Sequence, residues 1–280
     1  MTKNAYYNGA FGNISEIKLS LTDRAVFFGD GIYDAAIGRC GKIFMAKEHI
    51  RRFFSNARRI GITPTFGESE LYGIFSKLIS SVSDRCFFLY FQLSRYSDER
   101  CHSYPESGKS NLLVTIKEIP EPTGMDILRL TVCEDIRHGM CDVKTLNLLP
   151  SVLAAKQATL RNADEAVFKK GDIITECSHS NVHIIKDGRL ITHPLDSSIL
   201  PGISRYHLLS VCRRTGVLTE ERRFSEKELL TADEVLVTST SRLAARAEST
   251  DGHPYGISDS TLGARLCMRM YEDFIGHTAK

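Results

Sequence analysis

The chain has 280 residues, a formal net charge of +2 and a pI near 8.1, with 42% hydrophobic and 25% charged residues. That length suffices for one large or two modest domains with real cores, and the near-neutral charge gives no reason to expect a nucleic acid partner. No stretch approaches the roughly 18 apolar residues of a membrane span, the first residues lack an export signal's apolar run, and none of the eight cysteines forms a C-x-x-C pair, so a cytoplasmic protein without a metal site is expected.

Short strands are predicted at 5–8 and 43–45, next to the turn signals Asn8-Gly9 and Gly41-Lys42. Ile50, Phe53, Phe54, Ala57 and Ile60 recur at helical spacing, which predicts a helix over 47–60. A second such pattern predicts a helix over 69–82 with Ser69 as its N-cap. Residues 86–94 and 111–117 read as buried strands. The run Glu118-Ile119-Pro120-Glu121-Pro122-Thr123-Gly124 disfavours any regular element. It marks a linker at 119–124 between a small N-terminal domain, 1–118, and a larger C-terminal domain, 125–280.

In the second part a strand is predicted at 127–132 and a helix at 150–162. Short strands follow at 166–168, 182–186 and 189–191, the last two joined by a tight Asp187-Gly188 turn. The helix Ile203–Thr215 is closed by Gly216, a strand follows at 235–238, and a terminal helix covers 260–275. This mixture predicts an α+β fold of two domains, with the cleft between them as the default ligand site.

Six segments carry groups that could do chemistry. Lys144 sits in Cys141-Asp142-Val143-Lys144-Thr145-Leu146-Asn147. A lysine among apolar residues favours its neutral amine, which condenses with carbonyls. Glu176 precedes the small polar turn Cys177-Ser178-His179-Ser180-Asn181, and a carboxylate in a cleft can hold a proton on a pyridine nitrogen. Gly202-Ile203-Ser204 opens a helix whose first N–H groups suit a phosphate. Ser239 and Thr240, after a strand, offer hydroxyls and N–H groups to the same ligand. Arg52 could grip phosphate with its planar fork. Arg100 and His102, two residues apart, face the same way if extended and could hold a carboxylate. Taken singly, the segments read more readily as a surface lysine, a solvated acid, an ordinary capped helix, a polar loop, a solvated helix face and an exposed basic pair.

Together, in order and spacing, they resemble one family. The segments Asp23-Arg24, Gly29-Asp30-Gly31-Ile32-Tyr33, Glu48-His49-Ile50-Arg51-Arg52, Asp142-Val143-Lys144, Glu176 through Asn181 and Leu200-Pro201-Gly202-Ile203-Ser204-Arg205 are similar to those of the class IV (fold type IV) pyridoxal 5′-phosphate (PLP) aminotransferases. The resemblance runs nearly end to end and is nearest to the D-amino acid branch. It implies that Lys144 is the Schiff-base lysine and the proton carrier, and that Glu176 pairs with the pyridine nitrogen. It implies that Arg52, Ile203, Ser204 and Thr240 bind the cofactor phosphate. It further implies a homodimer, with Arg100, His102 and Tyr33 holding the substrate carboxylate. The implied reaction is transamination between a D-amino acid and a 2-oxo acid. Branched-chain L-aminotransfer and aminodeoxychorismate lysis on the same fold are the alternatives. The chain departs from the family pattern at Tyr96, at Glu99, across Ser241 to Arg246, and at His179, where serine is usual.

Overall fold

Apolar runs in the first half of the chain become the strands of one antiparallel sheet. The computed structural model describes residues 4–82, 85–104 and 108–279. Strands β1 (Asn4–Tyr7), β2 (Ala10–Asn13), β3 (Gly31–Arg39), β4 (Lys42–Ile43), β5 (Phe87–Ser94) and β6 (Asn111–Glu118) lie in the order β2-β1-β6-β5-β3-β4. Along β5 every second side chain, Phe87, Leu89, Phe91 and Leu93, is fully buried, the period-two pattern of a sheet with one face on a core. Two helices supply that core. The stripe Ile50, Phe53 and Ala57 of α2 (Ala46–Arg59) and Leu71, Ile74, Phe75 and Leu78 of α3 (Glu68–Ile79) join it. The rings of Phe53 and Phe75 lie 4.9 and 5.0 Å from that of Phe91, within the range of favourable aromatic pairs. The short helix α1 (Arg24–Phe28) precedes β3, capped by Asp23, whose carboxylate accepts from the Ala25 N–H at 2.8 Å.

The boundaries differ from the sequence pattern where backbone chemistry outweighs it. Ser69 does not cap α3; Gly67 does, in extended conformation. Met45 leaves the expected strand for a left-handed conformation at the start of α2. The chain groups as Met1–Glu121, Val143–Asn147 and Gly276–Lys280 in one compact unit and Pro122–Asp142 with Leu148–Ile275 in another. Lys144 therefore packs with the first unit, although the 125–280 boundary assigns it to the second. The reason is local pairing: Tyr33 N–H donates to the Lys144 carbonyl at 3.0 Å and Leu146 N–H to that of Gly31 at 3.1 Å.

The second unit is built on a nine-stranded mixed sheet. Its members are β7 (Ile127–Glu134), β8 (Glu165–Lys170), β9 (Ile173–Cys177), β10 (Asn181–Lys186), β11 (Arg189–Thr192), β12 (Thr219–Glu221), β13 (Glu234–Ser239), β14 (Leu243–Thr250) and β15 (His253–Pro254). The order is β12-β11-β10-β13-β14-β7-β8-β9, with β15 on β14. Parallel pairs β14/β7, β7/β8 and β11/β12 sit among antiparallel ones. The helices are α4 (Leu149–Leu160), α5 (Ile203–Thr215), α6 (Glu226–Leu230) and α7 (Leu262–Thr278). His183 is wholly buried in β10, its two ring nitrogens 2.9 Å from the hydroxyls of Thr192 and Thr238, so one side chain ties β11 and β13 to β10. Burial, helped by the Arg205 charge, lowers its pKa to about 3. No helix among the described residues is long and apolar enough to cross a membrane.

Candidate active site

In the first unit the Gly29-Asp30-Gly31 motif brings Lys144 onto β3. Gly29 closes α1 with a left-handed φ of 62°, which glycine adopts without strain. At Gly31 an added Cβ would stand 2.5 Å from the Leu93 carbonyl oxygen and 2.8 Å from Leu146 Cδ1. Only a residue without a side chain lets β5 and the lysine segment approach from both sides. Asp30, between the glycines, accepts from Arg24 Nε at 2.8 Å and Arg95 Nε at 2.9 Å. Burial pushes its carboxyl up, but the two guanidinium groups outweigh that and hold it below its usual value.

Lys144 is half-buried, and its Nζ stands 4.4 Å from the centre of the Tyr33 ring. Tyr33 in turn stacks on Tyr90, with ring centres 5.6 Å apart. On the neighbouring strand face Asp34 is completely buried. It accepts from Arg52 Nε and Nη2, both at 2.8 Å, and faces His49 Nδ1 at 2.8 Å. Burial raises the Asp34 carboxyl, yet the Arg52 charge and His49 hydrogen bond prevail and it lies well below the ordinary range. Burial, with the charges of Arg52 and Lys144, lowers His49 against the pull of Asp34. Arg52 is therefore an oriented cation, locked bidentately by a carboxylate.

Arg100 and His102 are exposed, and both lie against Phe28: the Arg100 guanidinium carbon at 5.1 Å and the His102 ring centre at 5.2 Å. Buried Arg24 fixes the loop, donating to the carbonyls of Cys101 at 2.6 Å and His102 at 3.3 Å. Both side chains thus lie against the same ring, Phe28.

In the second unit a connected polar set surrounds Glu176. This carboxylate is 5% exposed. It pairs with Arg137 through Oε1 and accepts at Oε2 from Asn181 Nδ2 at 2.9 Å and the Leu200 N–H at 3.0 Å. Arg137 is held by Asp135 at 2.7 Å and by the Ser198 carbonyl at 3.0 Å, and it lies over the Phe168 ring. Asn181 also donates to the Leu200 carbonyl at 3.0 Å. A Cβ at Gly202 would fall 2.0 Å from Asn181 Oδ1, so glycine is required where the chain enters α5. That helix starts at Ile203 with no side-chain cap and no acid in its first turn, leaving the positive end of the helix for an anion. Ser204 Oγ donates to the Ser239 carbonyl at 2.9 Å, so the first turn of α5 and the Ser239–Thr240 end of β13 lie together. Ile203, Ser239 and Thr240 are half-buried.

Arg137, Asp135, Asn181, Asp34 and His49 escape a reading by residue type. Asp135 and Arg137 look like a solvated charged loop, and only the fold turns them onto Glu176. Among the described residues no His/Cys/Asp/Glu cluster could hold a metal ion.

The fold and these two residue sets define a class of enzyme. The family model described as amino-transferase class IV matches residues 31–249, and the chain belongs to that family. The chain is 35% identical to a D-alanine aminotransferase of Staphylococcus epidermidis over 281 residues, 98% of each chain. It is 37% identical to that of Staphylococcus aureus, covering 96% of this chain and 97% of the other, and 33% identical to that of Bacillus licheniformis over 89% of each. Among solved structures, a branched-chain aminotransferase of Thermoproteus uzoniensis with norvaline superposes at a TM-score of 0.89 and 19% identity, covering 100% and 97% of the chains. A Brucella abortus aminotransferase bound to the co-factor PLP gives 0.86 at 17% identity, covering 98% and 99%. At those identities the structures establish the fold alone.

Proposed function

We propose that this class IV aminotransferase moves an amino group between a D-amino acid and a 2-oxo acid, with PLP as its cofactor. The residues present fit that cofactor. An uncapped helix end and an oriented arginine suit a phosphate, a buried carboxylate suits a ring N–H, and a half-buried amine suits covalent attachment. When bound, PLP supplies an aldehyde for covalent capture of amines and a ring that withdraws electrons from the substrate Cα. Lys144 is the residue that holds it, and its free amine takes the proton from Cα and returns it one atom away. Glu176, fixed by Arg137, Asn181 and the Leu200 N–H, keeps the ring nitrogen protonated. Arg52, the Ile203 and Ser204 N–H groups, Ser239 and Thr240 bind the phosphate, while Arg100, His102 and Tyr33 hold the substrate carboxylate.

The observation that carries the substrate reading is that Arg100 and His102 both lie about 5 Å from the centre of the Phe28 ring. The full-length likeness to D-alanine aminotransferases supports it. A panel with D-alanine, L-leucine and aminodeoxychorismate tests it. D-Alanine with 2-oxoglutarate should give pyruvate by far the fastest; preference for L-leucine, or pyruvate released from aminodeoxychorismate alone, would reject it. In Arg100→Ala the KM for D-alanine should rise ~10- to 100-fold, the size of a lost charge-assisted hydrogen bond, with PLP affinity little changed.

The proposal includes a homodimer. The α4 residues Leu149, Val152, Leu153 and Leu160 are 54–70% exposed, an apolar face that a second copy would cover. It also places the enzyme in the cytoplasm, where its eight cysteines, none in a disulfide, remain reduced.

A further inference from the structure

Arg246 ends the stretch Ser241 to Arg246, where the chain departs from the family pattern, and it has no part in the active site described above. It lies on β14, 4% exposed. A buried guanidinium is costly to desolvate unless its N–H groups and its charge are matched. Here the match is poor. Nη1 donates to the Ser258 carbonyl at 2.9 Å and Nη2 to Asp259 Oδ1 at 3.3 Å. Nε is buried with no hydrogen-bond partner among the described residues. The side chain of Asp259, the carboxylate paired with it, is 92% exposed, so water screens that charge.

The guanidinium lines a cavity of about 380 Å³ in the second unit, between the chain entering β7, β14 and α7. That volume lies within the range of small-molecule sites. Gly124 lets the entering chain approach α7 closely: a Cβ there would fall 2.9 Å from Tyr271 Cβ, and its φ of 68° suits glycine. Met125 follows it onto the cavity wall. On α7, Arg265, Met268, Arg269 and Glu272 recur at helical spacing and share one face. Arg269 is paired with Glu272 at 2.7 Å, and Arg265 donates to the Ser260 carbonyl at 2.6 Å. Three arginines against Asp259 and Glu272 leave one net positive charge around the cavity, and Met125, Ala264 and Met268 make its wall partly apolar.

We infer that this cavity is a second binding site, for the carboxylate of a small monoanionic acid with a short aliphatic chain. Arg246 receives the carboxylate at the buried end, Arg265 supports it at the exposed end, and Met125 and Met268 cover the chain. A guanidinium presents parallel N–H groups that match the two oxygens of a carboxylate. One net charge matches a monoanion, whereas a phosphate dianion would meet Asp259 and Glu272 without full compensation. The bound anion gives Arg246 the partner that exposed Asp259 supplies weakly. Plain carboxylic acids and 2-oxo acids share this chemistry. The site lies wholly in the second unit and stands whether or not the D-amino acid reading does.

Holoenzyme carrying carbon-13 in its methionine methyl groups tests the site, with Met125→Leu and Met268→Leu assigning the two signals. Isovalerate should shift both saturably, with a Kd on the order of 1 mM. A parallel titration with 4-methyl-2-oxopentanoate names the source: the tighter of the two acids marks plain or 2-oxo acids as the ligand, and either supports the site. Arg246→Gln, which keeps a donor but loses the charge, should weaken binding at least ~10-fold, the scale of a lost charge-assisted hydrogen bond. Arg265→Ala, an exposed change, should weaken it ~2- to 5-fold, and decides the matter if Arg246→Gln does not fold. Both shifts should persist in Arg100→Ala; their loss there would place the acid at the active site and overturn the inference. Signals that neither acid moves, equal binding of uncharged isovaleramide, tighter binding of inorganic phosphate, or a Kd unchanged in these Arg246 or Arg265 variants would also overturn it.

Discussion

Replacing Arg137 with leucine should damage the protein in a way that depends on pH. The guanidinium bridges two carboxylates, Asp135 and Glu176, and all three side chains are less than 10% exposed. Removing the cation leaves both acids buried without it. Breaking a buried ion pair on one side typically costs ~3–5 kcal/mol, which for a chain of this size lowers Tm by roughly 10 °C. The sign of the pH effect follows from Asp135. In the wild type burial pushes its carboxyl up, but the hydrogen bond and charge of Arg137 hold it below 3.8. It therefore contributes stability that is present above 3.8 and lost only as pH falls through its folded value. In the variant burial, the largest effect on this carboxyl, is opposed only by the Thr175 hydroxyl and the residue 137 N–H, and the folded pKa rises above the unfolded one. That contribution reverses, being harmless below 3.8 and destabilising as pH rises through the raised value. Thermal melts of both proteins at pH 5 and pH 8 should show a larger deficit at pH 8. A deficit below ~1 kcal/mol at pH 8, or one identical at the two pH values, would refute the reasoning that Arg137 neutralises this pair.

Two glycines and one histidine give further predictions. Gly31→Ala places a methyl 2.5 Å from a backbone carbonyl that cannot yield and should cost ~1–3 kcal/mol. By contrast Gly73→Ala, exposed in α3 with open space around it, should stabilise by ~0.5–1 kcal/mol; equal effects in chemical denaturation would contradict the packing account. His183 is neutral when folded down to about pH 3 but takes a proton at 6.5 when unfolded. Between those values only the unfolded chain is protonated, so stability should fall as pH drops from 6.5, by ~4–5 kcal/mol at the full extent. In His183→Asn the slope of stability against pH across that window should be visibly shallower, whatever the loss at pH 7; an unchanged slope would remove His183 from the acid response.

Helices α2, α3, α5 and α7 are legible in the sequence because a partly buried helix repeats its apolar residues at a fixed spacing. Strand β3 is not: Ile32, Ala35, Ala36 and Ile37 are buried on both faces, so its pattern carries no alternation to read. Helix α6 is missed although Ser225 and Glu228 form a capping box, because only five residues follow the cap. For the site, Lys144, Glu176 and Gly202 stand out only as a set in order. Their supports do not, because Arg137, Asp34 and Asn181 act through pairings set by the fold, which residue types along the chain do not encode. The glycines of the Gly29-Asp30-Gly31 motif are visible, but that Gly31 exists to admit Leu146 becomes clear only once Leu93 and Leu146 are seen on either side of it.

The central claim is that one amine, that of Lys144, holds the cofactor. Purified holoenzyme is reduced with borohydride, digested and mapped by mass spectrometry. A single phosphopyridoxyl group on Lys144, absent from Lys144→Ala, is the expected result. A label on any other lysine, or full turnover of D-alanine by Lys144→Ala, would contradict it.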